Sequence, residues 1–111
     1  MFSVSLKESR FGMCTTEGSA SARVLIENEK VKITEWTFKT PGENTGWHKH
    51  LYDYIVVPLF DGNLEITDAS SNSQIAELSN GIPYFRFAGV EHDVKSINEF
   101  ECAFLEIELI S

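Results

Sequence analysis

The stretch Thr45-Gly46-Trp47-His48-Lys49-His50 carries two of the three histidines in this chain, and Gly89-Val90-Glu91-His92 carries the third. Alternate residues of a β-strand point to one face, so His48 and His50 can present two imidazoles to a single ion. A third imidazole from a neighbouring strand, His92, completes a facial three-nitrogen site suited to zinc, nickel, copper or iron. The glycines around these stretches (Gly42, Gly46 and Gly89) supply turns at which a strand can enter and leave.

Working outward from the His-x-His pair, the chain reads as strand after strand. Val24 to Ile26 precedes a turn at Asn28 to Lys30, and Val31 to Phe38 alternates with β-branched and aromatic residues. Pro41-Gly42-Glu43-Asn44 is turn chemistry, and Thr45 to His50 forms the next strand. Ile55 to Leu59 ends at Asp61-Gly62, a hairpin signal, and Asn63 to Thr67 pairs back. Gln74 to Leu78, Tyr84 to Phe87 and His92 to Ile97 follow. Cys102 to Ile110 closes the chain, with Ala103, Leu105, Ile107 and Leu109 on one face. Pro58 has no N–H and belongs at an edge, a bulge or an unpaired position. No long stripe of helical period interrupts this series, which indicates an all-β barrel or sandwich.

Composition bounds the function. At 111 residues there is room for one domain, and eight phenylalanines supply bulk for its core. Seventeen acidic against nine basic residues give a net charge of −8, which argues against a nucleic acid as partner, since phosphate binding needs a basic patch, and disfavours an anionic membrane. No apolar run approaches membrane-spanning length. The N-terminus lacks a basic head followed by an apolar stretch, so the expected location is the cytoplasm. Residues 1–21, rich in Ser, Thr and Gly, read as an arm ahead of one domain over 22–111. Cys102 lies in an apolar run as a small core residue, and a disulfide to Cys14 is not expected.

The residues above resemble the two signature motifs of the cupin superfamily. The first is a Gly, five residues, His-x-His, three or four residues, Glu, six residues, Gly; Gly42, His48, His50 and Gly62 match, with Ile55 in the glutamate position. The second is a Gly, five residues, Pro-x-Gly, two residues, His, three residues, Asn; Gly81, Gly89 and His92 match, while Phe87 and Ser96 replace the Pro and Asn. Together with Tyr52-Asp-Tyr-Ile-Val-Val-Pro-Leu59 and Phe104-Leu-Glu-Ile-Glu-Leu109, the chain is similar to the small single-domain cupins of the BauB, or beta-alanine degradation, family. That resemblance implies a double-stranded β-helix (the cupin jelly-roll barrel), a divalent transition metal on His48, His50 and His92, a place in catabolism and a homodimer paired through an outer sheet.

A family carboxylate at Ile55 would complete a three-His-one-Glu set, and Ile cannot ligate. Strand parity puts Asp53 on the face of Ile55 and Val57, with Tyr52 and Tyr54 on the other; one bulged residue reverses this. Asp53 and Tyr54 are the candidates for a further ligand or a proton carrier. Arg86, if inward, offers a bidentate anchor for a substrate carboxylate; outward, it is a solvated strand residue. Trp36 and Trp47 read as structural aromatics, either of which could wall a pocket. Trp36 and Tyr52 are candidates for substrate contact, and Glu106 and Glu108 are expected on a solvent or subunit face. Nothing resembles a nucleophilic triad, a phosphate-binding glycine loop or a dinucleotide fingerprint. Three functions fit: a metal-dependent enzyme acting on a small organic acid or amine, a non-catalytic metal- or metabolite-binding module, and a structural dimer. In this reading Ile55→Glu tightens metal binding and a small carboxylate ligand reinforces it.

Overall fold

A computed structural model describes residues 18–111; most of the expected arm, and Cys14 with it, lies outside the described residues. Nine strands follow one another: β1 (Ser21–Glu27), β2 (Val31–Phe38), β3 (His48–Lys49), β4 (Asp53–Pro58), β5 (Gly62–Asp68), β6 (Ser73–Leu78), β7 (Tyr84–Arg86), β8 (Glu91–Ser96) and β9 (Cys102–Leu109). They form two antiparallel sheets, ordered β1-β2-β9-β4-β7 and β3-β8-β5-β6. No helix among the described residues is long and apolar enough to cross a membrane.

The all-β jelly roll agrees with the sequence reading, but the sheets do not close into the expected barrel. No ladder links β7 of one sheet to β6 of the other. With only three residues, β7 is too short to carry a further ladder along the length of β6. The gap is the route into the interior.

Strand parity sorts the side chains. On β4 and β9 the inward residues are Tyr54, Val56, Cys102, Phe104 and Glu106, all buried. Phe38, Leu64, Leu78 and Val94 complete the core from neighbouring strands. Cys102 is a free, buried thiol in this core, as its apolar setting suggested. Ala103, Leu105, Ile107 and Leu109 share a face as expected, but it is the outer one. Glu106 therefore points inward and the expectation of a solvent or subunit face for it is overturned. The parity of β9 is set by Cys102 and Phe104, whose burial outweighs the cost of turning Glu106, and Glu108 after it, to the same side.

Pro58 satisfies its constraint. Its carbonyl accepts the Gly81 N–H at 2.8 Å, while Leu59 donates to the Ala103 carbonyl of β9 at 3.0 Å. The side of Pro58 that lacks an N–H therefore faces away from β9, beyond the residue at which β7 stops pairing with Val56.

The strand expected over Thr45 to His50 shrinks to His48–Lys49. Gly46 adopts φ 91°, a left-handed conformation that breaks the ladder. Single bonds still tie the segment to β8 and its entrance: Gly42 N–H to the Ser96 carbonyl, Thr45 N–H to Val94, and His50 N–H to Val90, each at 2.8 Å. The segment holding two histidines is thus fastened along its length although little of it is regular strand.

Candidate metal centre

His48 stands directly opposite His92 in the β3–β8 register. Directly opposed side chains lie about 5 Å apart at Cβ, so the two rings start close. His50, two residues on, shares the face of His48. It is clamped by its own N–H to Val90 and by the Gly89 N–H, which donates to the His50 carbonyl at 2.7 Å. Gly89 makes that contact at φ 99°, where a Cβ would be strained.

The rings converge through their Nε2 atoms. His48 Nε2 is 3.1 Å from His50 Nε2, and His50 Nε2 is 3.1 Å from His92 Nε2. Donors sharing one ion at bonds of about 2.1 Å are separated by about 3.0 Å in octahedral and about 3.4 Å in tetrahedral geometry. The observed separations fall between the two. The tautomer of His48 follows from its other nitrogen: Nδ1 lies 2.9 Å from the Gly46 carbonyl, to which it must donate. Its Nε2 then carries a lone pair aimed at the cluster.

Burial keeps these rings neutral. It lowers His48 below its ordinary value, with His50 adding to the effect. It takes His50 down to about 4. His92 falls to about 3, through burial first and then through His48, His50 and Arg86. Neutral imidazoles whose Nε2 atoms converge in this way are the donor set that a divalent transition metal takes. Among the described residues these three form the cluster able to hold a metal.

Other aromatic rings pack against the site. Tyr54 stacks on His50 with centroids 3.8 Å apart and 17° between planes, and Trp36 stacks on His48 at 6.4 Å. Burial, then Glu106, raises the Tyr54 phenol well above its ordinary value, so it stays protonated. Glu106 reaches the site from β9: its Oε2 lies 3.4 Å from His50 Nε2, and its Oε1 accepts the Trp36 indole N–H at 3.3 Å. Burial raises the Glu106 carboxyl, opposed by His48, the Trp36 hydrogen bond and Lys32.

These groups line a cavity of about 630 Å³ that reaches the β6–β7 gap, with His48, His92, Trp36, Tyr54, Glu106 and Arg86 among its walls. Val56, Leu64, Ile66, Val94 and Phe104 give it an apolar floor. Arg86 faces the cavity from β7, opposite Tyr54 in register. Its guanidinium lies over the Tyr84 ring at 4.6 Å and donates to the Phe85 carbonyl at 3.0 Å.

Of the residues singled out from sequence, the three histidines, Tyr54, Trp36 and Arg86 are brought together. Asp53 and Tyr52 are not. Asp53 sits on the outer-facing side of β4, where its carboxylate accepts the Ala88 N–H at 2.8 Å and caps the loop before Gly89. Tyr52 is exposed at the corner before β4 and lines no part of the cavity. Ile55 also faces outward, between Ile107 and Phe85 in register. A glutamate at Ile55 would point away from the histidines, so the expected tightening by Ile55→Glu is withdrawn.

Two residues were missed by the sequence reading. Glu106 was legible from the alternation of Cys102 and Phe104, had that face been taken as the buried one. Asp93 had no local signal: its carboxylate accepts the Gly46 N–H at 3.1 Å and the Asn44 amide at 2.9 Å, fixing the turn that orients His48.

No family model matches the chain. The chain is 44% identical over 86 residues to the beta-alanine degradation protein BauB of Pseudomonas aeruginosa, covering 78% of this chain and 88% of that protein. A cupin domain protein from Bordetella pertussis superposes with a TM-score of 0.79 at 42% identity, covering 90% of this chain and all of that one. A cupin superfamily protein from Desulfitobacterium hafniense shares the fold at 20% identity, with a TM-score of 0.64 over 86% of this chain and 82% of that one.

Proposed function

Since the chain belongs to the BauB family of small cupins, we propose that it is a metal-dependent enzyme acting on a small organic acid or amine in a catabolic route. One observation carries this reading. Three neutral imidazoles converge, with His50 Nε2 at 3.1 Å from both His48 Nε2 and His92 Nε2, and His48 and His92 line a cavity that Arg86 lines as well. A metal and a carboxylate anchor on one apolar cavity suit a small anionic substrate held by one end.

His48, His50 and His92 would hold zinc, nickel, copper or ferrous iron, which would act there as a Lewis acid. Arg86 binds the substrate carboxylate, its guanidinium held over the Tyr84 ring. The protonated Tyr54 phenol donates to substrate and does not act as a base. Trp36 walls the site and orients Glu106. Asp53, capping a loop, takes no part in this assignment.

We further propose a homodimer built on the outer face of the β1-β2-β9-β4-β7 sheet. Ile33, Ile55, Val57, Leu105 and Ile107 form an apolar band there, continued by the exposed Ile26, Phe85 and Leu109. A two-fold contact is the simplest way to cover it. Cell fractionation tests the cytoplasmic placement.

The test of the function is turnover of small acids and amines, including beta-alanine, by protein of defined metal content. Metal-dependent turnover supports the enzyme. Binding of metal and acid with no turnover of any substrate would favour the non-catalytic module instead.

A further inference from the structure

We infer that Glu106 supplies the anionic ligand of the metal centre, arriving from β9 and taking the place of the carboxylate that the cupin motif would put at Ile55. The inference rests on the metal reading above and adds a fourth donor to it.

Three observations carry it. First, Glu106 is 9% exposed, and its inward position is forced by the β9 parity. Second, its two oxygens are treated unequally. Oε1 accepts the Trp36 N–H at 3.3 Å, but Oε2 accepts no hydrogen bond among the described residues. Its near neighbour is His50 Nε2 at 3.4 Å, a lone-pair nitrogen whenever His50 is a ligand. Two acceptors facing each other in a buried site cost free energy unless a metal ion or a proton joins them, and a bound metal displaces the proton. A separation of about 3.0–3.4 Å is that of adjacent donors on one ion. Third, the alternative is geometrically closed. Ile55 faces out between Ile107 and Phe85, so no substitution there delivers a carboxylate to the histidines.

The other groups around Glu106 agree with this assignment. Thr34 and Val56 flank it across β2 and β4, and neither carries charge. Trp36 holds one oxygen in place and leaves the other beside His50, the histidine through which Glu106 meets the cluster. One carboxylate also halves the charge of a divalent ion held by three neutral rings, so the centre does not depend on a substrate anion to bind its metal.

The experiment compares wild type, Glu106→Gln, Glu106→Ala, Glu106→Asp and His48→Ala by competitive cobalt(II) and zinc titration. The cobalt electronic spectrum and the melting of each metal-free protein are recorded in parallel. Glu106→Gln should weaken metal binding by about 10–100-fold or more and alter the cobalt spectrum. Its metal-free melting temperature should not fall, because it removes a buried carboxylate. Formate or acetate should restore part of the affinity of Glu106→Ala, as an external carboxylate enters the vacated space. If Glu106→Gln fails to fold, Glu106→Asp must fold and bind with a changed spectrum. Unchanged affinity and spectrum in Glu106→Gln, with no formate rescue in Glu106→Ala, would overturn the inference while leaving the three-histidine site intact. Wild type that binds no cobalt, like His48→Ala, would overturn the metal reading itself.

Discussion

His48 Nδ1 donates to the carbonyl of Gly46, two residues earlier in the same turn, at 2.9 Å. The contact decides which nitrogen of His48 is free, and Gly46 can make it because it adopts φ 91°. Asp93 holds that turn from β8 through the Gly46 N–H. The orientation of His48 is therefore set by a carboxylate that does not touch its ring.

Asp93→Ala should leave the Gly46 N–H and the Asn44 amide without their acceptor. Stability should fall by about 1–3 kcal/mol, and metal affinity by about 10-fold as His48 loses its fixed orientation. Thermal melting and metal titration of the one variant check both parts. Asp93→Asn, keeping an oxygen for Gly46, should lose less of each.

Metal should be retained to lower pH than ordinary histidines allow. Protons compete with the ion for the same nitrogens, so affinity falls only where the imidazoles begin to protonate. Burial holds His50 down to about 4 and His92 down to about 3, and it lowers His48 as well. Metal affinity should stay near its neutral value as pH drops through 6.5 and decline below about 5. Equilibrium dialysis between pH 8 and pH 4 measures the profile; a midpoint at 6.5 would indicate solvent-exposed rings.

Arg86→Leu should weaken binding of small carboxylates by about 10–100-fold without weakening metal binding, because Arg86 is not a metal donor and its positive charge already acts on His92. Arg86→Lys should recover only part of the loss, since an ammonium lacks the planar fork. Calorimetric titration of metal-loaded protein with acetate, propionate and beta-alanine reads this out.

Ile55→Glu should leave metal affinity unchanged and act on assembly instead. The new carboxylate would lie in the outer apolar band beside Ile107 and Phe85. Light scattering should show the dimer shifted toward monomer. A monomer mass for wild type at micromolar concentration would contradict the dimer.

Much of this was legible because periodicity and motif spacing are local. The three histidines and the parity of β4 follow from residues close in sequence. The unpaired side of Pro58 follows in the same way. The hairpin expected at Asp61-Gly62 does not form: the turn carries the chain from one sheet to the other, so β5 pairs with β6 and β8 and not with β4. What escaped depended on contacts between distant strands. Glu106 looked outward because Ala103, Leu105, Ile107 and Leu109 form the more apolar set, and apolar faces are ordinarily buried. Here that set faces out on the sheet proposed to pair, and the less apolar set faces a polar site. The open β6–β7 edge was equally invisible, since it depends on the shortness of β7 rather than on any residue signal.

The central claim is that one divalent metal is held by His48, His50 and His92. Metal analysis of protein purified without a metal-binding tag, after reconstitution and removal of excess ion, tests it most directly. The account predicts about one transition-metal ion per chain, with zinc or cobalt retained and magnesium and calcium absent. His48→Ala and His92→Ala should each lose it while remaining folded. A chain that retains no ion, or variants that keep it undiminished, would contradict the account.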